Sequence, residues 1–329
     1  KFVRQYAFWD KNGSRFVAIG FWARVPMVLL TLVTGVLIFI FARWLFGSRT
    51  AVLAVALFSL EPTFLGHGRV VQTDAPAAFG YLLFFMALYV YSRKQTWRVA
   101  YGLGAAAALA ILVKYSMLLV GLVQAPAFVI LWWKSSSRRV IAAHAFVTLA
   151  GLLLVINAAY YFKHAPLDST EPVWITANFP SYGQAVAFGV NALTYLVPKE
   201  FLLGICFQII HNRQGHSASL LGMYSQMGWW YYFPVAMALK LTLPFLLLSL
   251  GSACLACKRI ITNREFKFLW LLIPALVYLI FVLFSRINIG VRYMLPMFPF
   301  LIILSAWLLG QLLEIRTSRG AWAPVLVLV

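Results

Sequence analysis

The chain has 329 residues, 63% hydrophobic and only 11% charged, with 27 Lys and Arg against 8 Asp and Glu and a formal net charge of +19. A soluble domain carries roughly a quarter charged residues, so this composition, with a mean hydropathy of +0.87, excludes an ordinary water-soluble enzyme. Several apolar runs are long enough to cross a hydrocarbon core of ~30 Å as helices, and their weak period-two alternation argues against a membrane barrel.

The expected fold is therefore all-α, a polytopic transmembrane helix bundle. Spans are predicted near 25–44, 51–65, 75–92, 98–113, 116–133, 140–161, 230–256, 268–284 and 293–312, with a tenth beginning near 321. The stretch 98–133 reads as a tight helical pair or as a re-entrant turn. The chain opens on Lys1 and stops at Val329 inside an apolar run, which reads as one domain over 1–329 cut at both ends.

Charge alternates from loop to loop. One set holds Arg43 and Arg49; Arg93, Lys94 and Arg98; Lys134, Arg138 and Arg139; Lys258, Arg259, Arg264 and Lys267; Arg316 and Arg319. The positive-inside rule makes these cytoplasmic. The other set, 1–20, 66–74, the turn around 114, 162–229 and 285–292, then faces outward, which implies a multi-pass protein of the inner (plasma) membrane. Most of the positive charge faces anionic membrane lipid, and no nucleic-acid partner is needed.

Residues 162–229 form a far longer loop than any cytoplasmic one. It holds Asp168, Glu171, Glu200, His164, His211 and His216. Its apolar segment 185–210 is open to two readings, an interfacial helix or a further buried span. The interfacial helix is preferred because another span would break the charge alternation.

Ionisable residues at membrane depth are costly and point to function. The densest group runs from Glu61 through His67 and Arg69 to Asp74. Arg69 and Asp74 lie five apart, about 140° from one another on a helix, so they need not pair; the bland alternative is an outer-interface ion pair with snorkelling side chains. Lys114, Lys240 and Arg292 are further cations beside apolar runs. Snorkelling accounts for any one of them; together with a carboxylate they suggest a site for an anionic, membrane-embedded ligand such as a lipid phosphate, which Arg binds with a planar fork and Lys as a point charge. His211-Asn212-Arg213-Gln214-Gly215-His216 places two imidazoles five apart, a weak metal signal without a helical H-x-x-x-H. A solvated loop is the competing reading. The aromatic run Trp229 to Tyr232 reads as an interfacial belt. Cys254 and Cys257 read as small apolar residues at a helix end.

Several stretches resemble a known family. They are Phe21-Trp22-Ala23-Arg24-Val25-Pro26; the run from Glu61 to Asp74; Leu112-Val113-Lys114-Tyr115-Ser116; Gly215-His216 through Leu221-Gly222; Gly228 through Pro234; and Gly290 through Pro296. In this order they resemble bacterial members of the protein O-mannosyltransferase superfamily, the GT-C glycosyltransferases that include the lipid A aminoarabinose transferases. The resemblance implies a sugar taken from a polyprenyl-phosphate donor and passed, with inversion, to an acceptor hydroxyl of a protein, lipid or glycan outside the cytoplasm. It implies Asp74 as the second acidic position and Arg69 as the basic residue before it. It further implies Arg213 as a donor-phosphate contact and His211, with His216 as the rival match, as a contact of a divalent metal; Lys240 and Arg292 join Arg213 as candidate phosphate contacts from their place beside apolar runs. The family's principal acid, in its first outer loop, has no counterpart here, and the expectation is that it lies upstream of residue 1. Two other classes compete: a transporter or lipid flippase with an anionic substrate, which internal repeats would favour, and a noncatalytic membrane subunit.

Overall fold

The computed structural model describes residues 8–319. Helix α1 (Phe16–Phe46) belongs to a helical stretch running from Phe8, 39 residues in all. At 1.5 Å per residue that is ~58 Å, so the apolar window 25–44 marks only the part that one hydrocarbon core can hold. Gly47, at φ 89°, ends it and α2 (Ser48–Leu60) turns back.

The span expected over 51–65 is two helices. The axis bends by 66° between α2 and α3 (Pro62–Gly68). Pro62 disfavours helical backbone at the residue before it, and Glu61 is extended (φ −80°, ψ 106°), with its carboxylate accepting from Phe64 N at 2.6 Å. A good helix start has replaced helix continuation.

Next come α4 (Asp74–Arg93), α5 (Trp97–Val113), α6 (Leu119–Lys134) and α7 (Arg138–Ala159). Lys114 is extended and Tyr115–Leu118 is a 3-10 turn, so 98–133 is a helical pair joined tightly. Helices α5 and α7 meet through Gly104 and Gly151, where an added Cβ would strike the Thr148 and Tyr101 carbonyls; Thr148 Oγ1 donates to Ala100 O at 3.0 Å. Small residues let helix backbones approach where lipid gives no hydrophobic push.

The long segment 162–229 is not loop throughout. It contains α8 (Glu171–Asn178), α9 (Gly183–Leu193), α10 (Lys199–Gln214) and a ribbon of β1 (Ala218–Leu220) and β2 (Met223–Ser225), with Ala218 opposite Ser225. One helix over 185–210 was expected; two form, split ahead of Pro198, and neither is long and apolar enough to cross a membrane.

The span expected over 230–256 is likewise divided, into α11 (Tyr232–Lys240) and α12 (Leu243–Asn263). A continuous helix would need an N–H at Pro244 to bond the Lys240 carbonyl, and proline has none. Helix α13 (Leu269–Leu283), a 3-10 segment Val291–Met297 and α14 (Phe298–Arg319) complete the described chain. The tenth span lies outside the described residues.

Among the described residues, seven stretches are long and apolar enough to cross a membrane, the bent α2–α3 pair is an eighth, and α5 is a shorter apolar helix of 17 residues. The protein is thus a multi-pass membrane protein with the expected order of spans. Helices α4 and α14 are central, joined by the buried rings of Tyr81, Phe85, Tyr278 and Phe300. At one end of the bundle Arg49 pairs with Glu314, and Lys267 sits 5.3 Å from the Phe46 ring and 3.2 Å from Glu265. These contacts gather loops that share a side in the charge pattern. Helix α14 runs from there to the opposite end, where the candidate site lies.

Candidate active site

Asp74 is the first residue of α4 and is buried. A helix N-terminus favours a carboxylate, but burial makes the charge costly without partners. Two cations answer it from distant parts of the chain. Lys114, at the end of α5, places Nζ 2.6 Å from Oδ1, and Arg292 places Nε 3.9 Å from Oδ2. The Lys114 ammonium also lies over the Tyr293 ring, 4.1 Å from its centroid, a contact worth most when desolvated. Gly290, at φ 93°, turns the chain into the segment carrying Arg292 and Tyr293. Tyr278 on α13 donates to Tyr293 O at 2.6 Å, and Phe233 on α11 stacks on the Tyr293 ring. Phe233, the residue that follows the aromatic run Trp229 to Tyr232, is therefore a wall of the site.

Arg69 is exposed at this end, and its side chain forms no ion pair or hydrogen bond among the described residues. The bland alternative of an Arg69–Asp74 ion pair is not what forms; Lys114 takes that place. Lys240, at the end of α11, is exposed and lies within electrostatic reach of His67, together with Asp74 and Arg292.

A cavity of about 670 Å³ adjoins this cluster. Its walls are largely apolar, with Leu119, Leu122, Ile280 and Phe281 among them; Tyr115, Ser116 and Tyr293 line it beside Lys114, and Asn212 and Arg213 line it from α10. Ser116 Oγ is buried with no hydrogen-bond partner. The loop carrying Arg292 is tied to the segment 162–229: Asn212 Oδ1 accepts from Arg286 N at 3.1 Å, and Asn288 Oδ1 accepts from Trp229 N at 2.8 Å. An added Cβ at Gly228 would strike Asn288.

Arg213 extends its guanidinium over the Phe179 ring, 5.7 Å from the centroid. The His211 ring stacks on Phe207, and the His211 and His216 rings are 6.1 Å apart at 82°. His216 Nδ1 contacts Ser217 O at 3.0 Å. Two imidazoles are half of a tetrahedral set, and no group of three or more His, Cys, Asp or Glu suited to a metal occurs among the described residues. These residues alone do not fit a divalent cation; one held there would need ligands from substrate or water.

Two acids of the segment 162–229 have structural work. Asp168 Oδ1 accepts from Thr170 Oγ1 at 2.8 Å, and Glu171 pairs with Lys199 at 3.1 Å. The Thr170 hydroxyl holds the Asp168 carboxyl below its ordinary range, and the bond from Glu171 holds Lys199 above its own.

Sequence reasoning grouped Lys114 with Lys240 and Arg292 as cations of an anion site, placed His67 in the polar run before Asp74, and did not single out Gln72 or Tyr293. Their motifs were visible; their meeting was not, because Lys114 is 40 residues from Asp74 and Arg292 is 220 from Gln72.

Residues 16–161, which include Arg69, Asp74 and Lys114, match the family model for dolichyl-phosphate-mannose-protein mannosyltransferase. The fold is similar to that of the Archaeoglobus fulgidus oligosaccharyltransferase in its apo form, with a TM-score of 0.55 and 14% identity over 91% of this chain and 40% of that one. The same enzyme tethered through a disulfide to an acceptor peptide containing the NVT sequon gives 0.54 and 15%, with the same coverage. At such identities the likeness is one of fold, and the chain spans about two-fifths of the length of those structures. No curated protein matches the chain. The resemblance to PMT-type glycosyltransferases holds in sequence over residues 16–161, and over most of the chain the fold is similar to that of the archaeal oligosaccharyltransferase.

Proposed function

We propose that this chain carries part of the catalytic membrane domain of a glycosyltransferase that moves a sugar from a polyprenyl-phosphate donor to an acceptor hydroxyl on the outer side of the inner membrane, with inversion. One observation carries the reading: a buried carboxylate and two cations from three separate elements converge beside a largely apolar cavity of about 670 Å³. A lipid-linked phosphate needs that combination, an apolar slot for isoprenoid chain and cations where the chain ends.

In the reaction, the acceptor oxygen attacks the anomeric carbon as the bond from that carbon to the phosphate oxygen breaks, and the hydroxyl proton passes to a carboxylate. The electron pair leaves with the lipid phosphate. Cations fixed in advance where that charge develops lower the barrier without reorganising. Lys114 and Arg292 are the nearest to Asp74; Lys240 and Arg69 stand exposed at the same end, and Arg213 lies across the cavity. Asp74 holds the first two in register. Its Oδ2, 3.9 Å from Arg292 Nε, is the oxygen left to accept from a hydroxyl of sugar or acceptor. No step is routed through a metal.

The test is transfer from polyprenyl-phosphate sugars by purified full-length protein, read beside thermal stability. Asp74→Asn keeps shape and hydrogen bonding but removes charge, so transfer is expected to collapse while folded protein accumulates. Near-normal transfer by a well-folded Asp74→Asn protein sinks the proposal.

A further inference from the structure

Gln72 stands between an imidazole and a guanidinium. Its Nε2 lies 3.1 Å from His67 Nδ1 and donates to the His67 carbonyl at 3.4 Å, while its Oε1 accepts from Arg292 Nη1 at 3.5 Å. Together these contacts set the amide one way round. Reversed, it would turn its NH₂ toward the guanidinium and its oxygen toward the His67 carbonyl. Set this way, Gln72 offers His67 Nδ1 only a donor, so Nδ1 accepts and the ring is neutral with its proton on Nε2. Meanwhile Arg292 Nε is buried with no hydrogen-bond partner. The guanidinium is held at one nitrogen by Gln72 and keeps another donor unspent beside Asp74.

We propose that His67 and Gln72 are positioning residues that aim Arg292 into the site, and that they do so only while His67 is neutral. The target of that aim, an anionic leaving group, rests on the glycosyl-transfer reading; the latch itself rests on geometry. A proton on Nδ1 turns the acceptor into a second donor facing Nε2 of Gln72. The amide must then leave or turn over, and either movement strips Arg292 of its acceptor. The charged groups facing His67 are Asp74 from the start of α4, Arg292 from the 3-10 segment and Lys240 from the end of α11.

Ring carbon and nitrogen NMR of full-length protein in lipid nanodiscs tests the latch directly. The chain has five histidines, and His67→Gln assigns the signal. The expected neutral form carries its proton on Nε2. Gln72→Leu is expected to raise the His67 midpoint by about half a pH unit or more, because the neutral ring loses the hydrogen bond that favours it. A proton on Nδ1 in the neutral ring, or an unmoved midpoint, overturns the proposal. Transfer kinetics test the aim. Wild-type kcat is expected to fall on the acid side with the His67 midpoint. His67→Gln keeps an acceptor, so it loses about threefold to tenfold at neutral pH and no longer shows that acid limb, whereas His67→Leu loses at least about tenfold more. An acid limb unchanged in His67→Gln overturns the aim. Absence of transfer in every protein, with the tautomer and midpoint as expected, rejects the glycosyl-transfer reading and leaves the latch supported.

Discussion

Two groups of basic side chains adjoin one cavity, the first through Tyr115, Ser116 and Tyr293 and the second through Asn212 and Arg213, and they are built in opposite ways. Around Asp74 the partners come from α4, the end of α5 and the segment before α14, and they converge on one buried carboxylate. Around His211 they come from a single run of six residues at the end of α10, with no acid among them and with aromatic rings as their neighbours. In sequence the first group could be gathered only by its shared depth beside apolar runs, without its pairings; the second stood out there as a motif. Proximity along the chain makes a motif easy to see, whereas burial of opposite charges at one point makes a site. A buried charge without a partner is expensive, so each member of the Asp74 group constrains the others, while each member of the His211 group is solvated or stacked by itself.

The comparison breaks first at Asp74. Asp74→Asn is expected to lower transfer by about 10²–10³-fold, the effect of removing one well-placed electrostatic group, with melting temperature changed far less. Loss of fold in place of activity would make the acid a structural strut.

Next in size is Lys114→Met, which leaves the carboxylate with Arg292 alone at 3.9 Å. Removing one partner of a buried pair costs about 3–5 kcal/mol, and the remaining cation argues for the lower end. Chemical denaturation measures it. The double variant Lys114→Met with Asp74→Asn is expected to regain most of that stability but none of the transfer; additive losses would show that the two residues are not coupled.

Arg69 sharpens the contrast from the other side. Its side chain has no partner among the described residues, so Arg69→Lys is expected to leave the melting temperature unmoved. Transfer is expected to fall about tenfold, because an ammonium cannot copy the guanidinium fork on a phosphate. Unchanged transfer would place Arg69 outside the site.

The smallest effect belongs to the His211 group. With two imidazoles and no third ligand, dialysis against a chelator is expected to reduce transfer by less than about tenfold, under ~1.4 kcal/mol of barrier. A loss matching that of Asp74→Asn would move a metal to the centre of the chemistry and reverse the ranking of the two groups.

Much of the fold was legible. Apolar run length located the spans, because a bilayer has one thickness and helices one rise per residue. The errors fell at prolines: 51–65 and 230–256 each read as one apolar run, and each is broken where Pro62 or Pro244 cannot continue a helix. Hydropathy carries no record of a missing N–H, although the proline itself was in plain view. In the segment 162–229 the apolar stretch 185–210 concealed two helices, split ahead of Pro198.

The sequence by itself determined that the chain lives in a membrane, how many times an apolar helix recurs, which loops share a charge, and that Asp74 sits among very few acids. Those properties are local, set by side-chain transfer energies and the period of a helix. Only the tertiary structure decided that Asp74 is answered by Lys114 and Arg292 rather than Arg69, that Tyr293 walls the site, and that Gln72 joins His67 to Arg292. Those pairings depend on which helix ends meet. Helix packing in lipid turns on close contact at small residues such as Gly104 and Gly151 and on the exit angle of each turn, quantities that belong to the whole bundle and to no single stretch of chain.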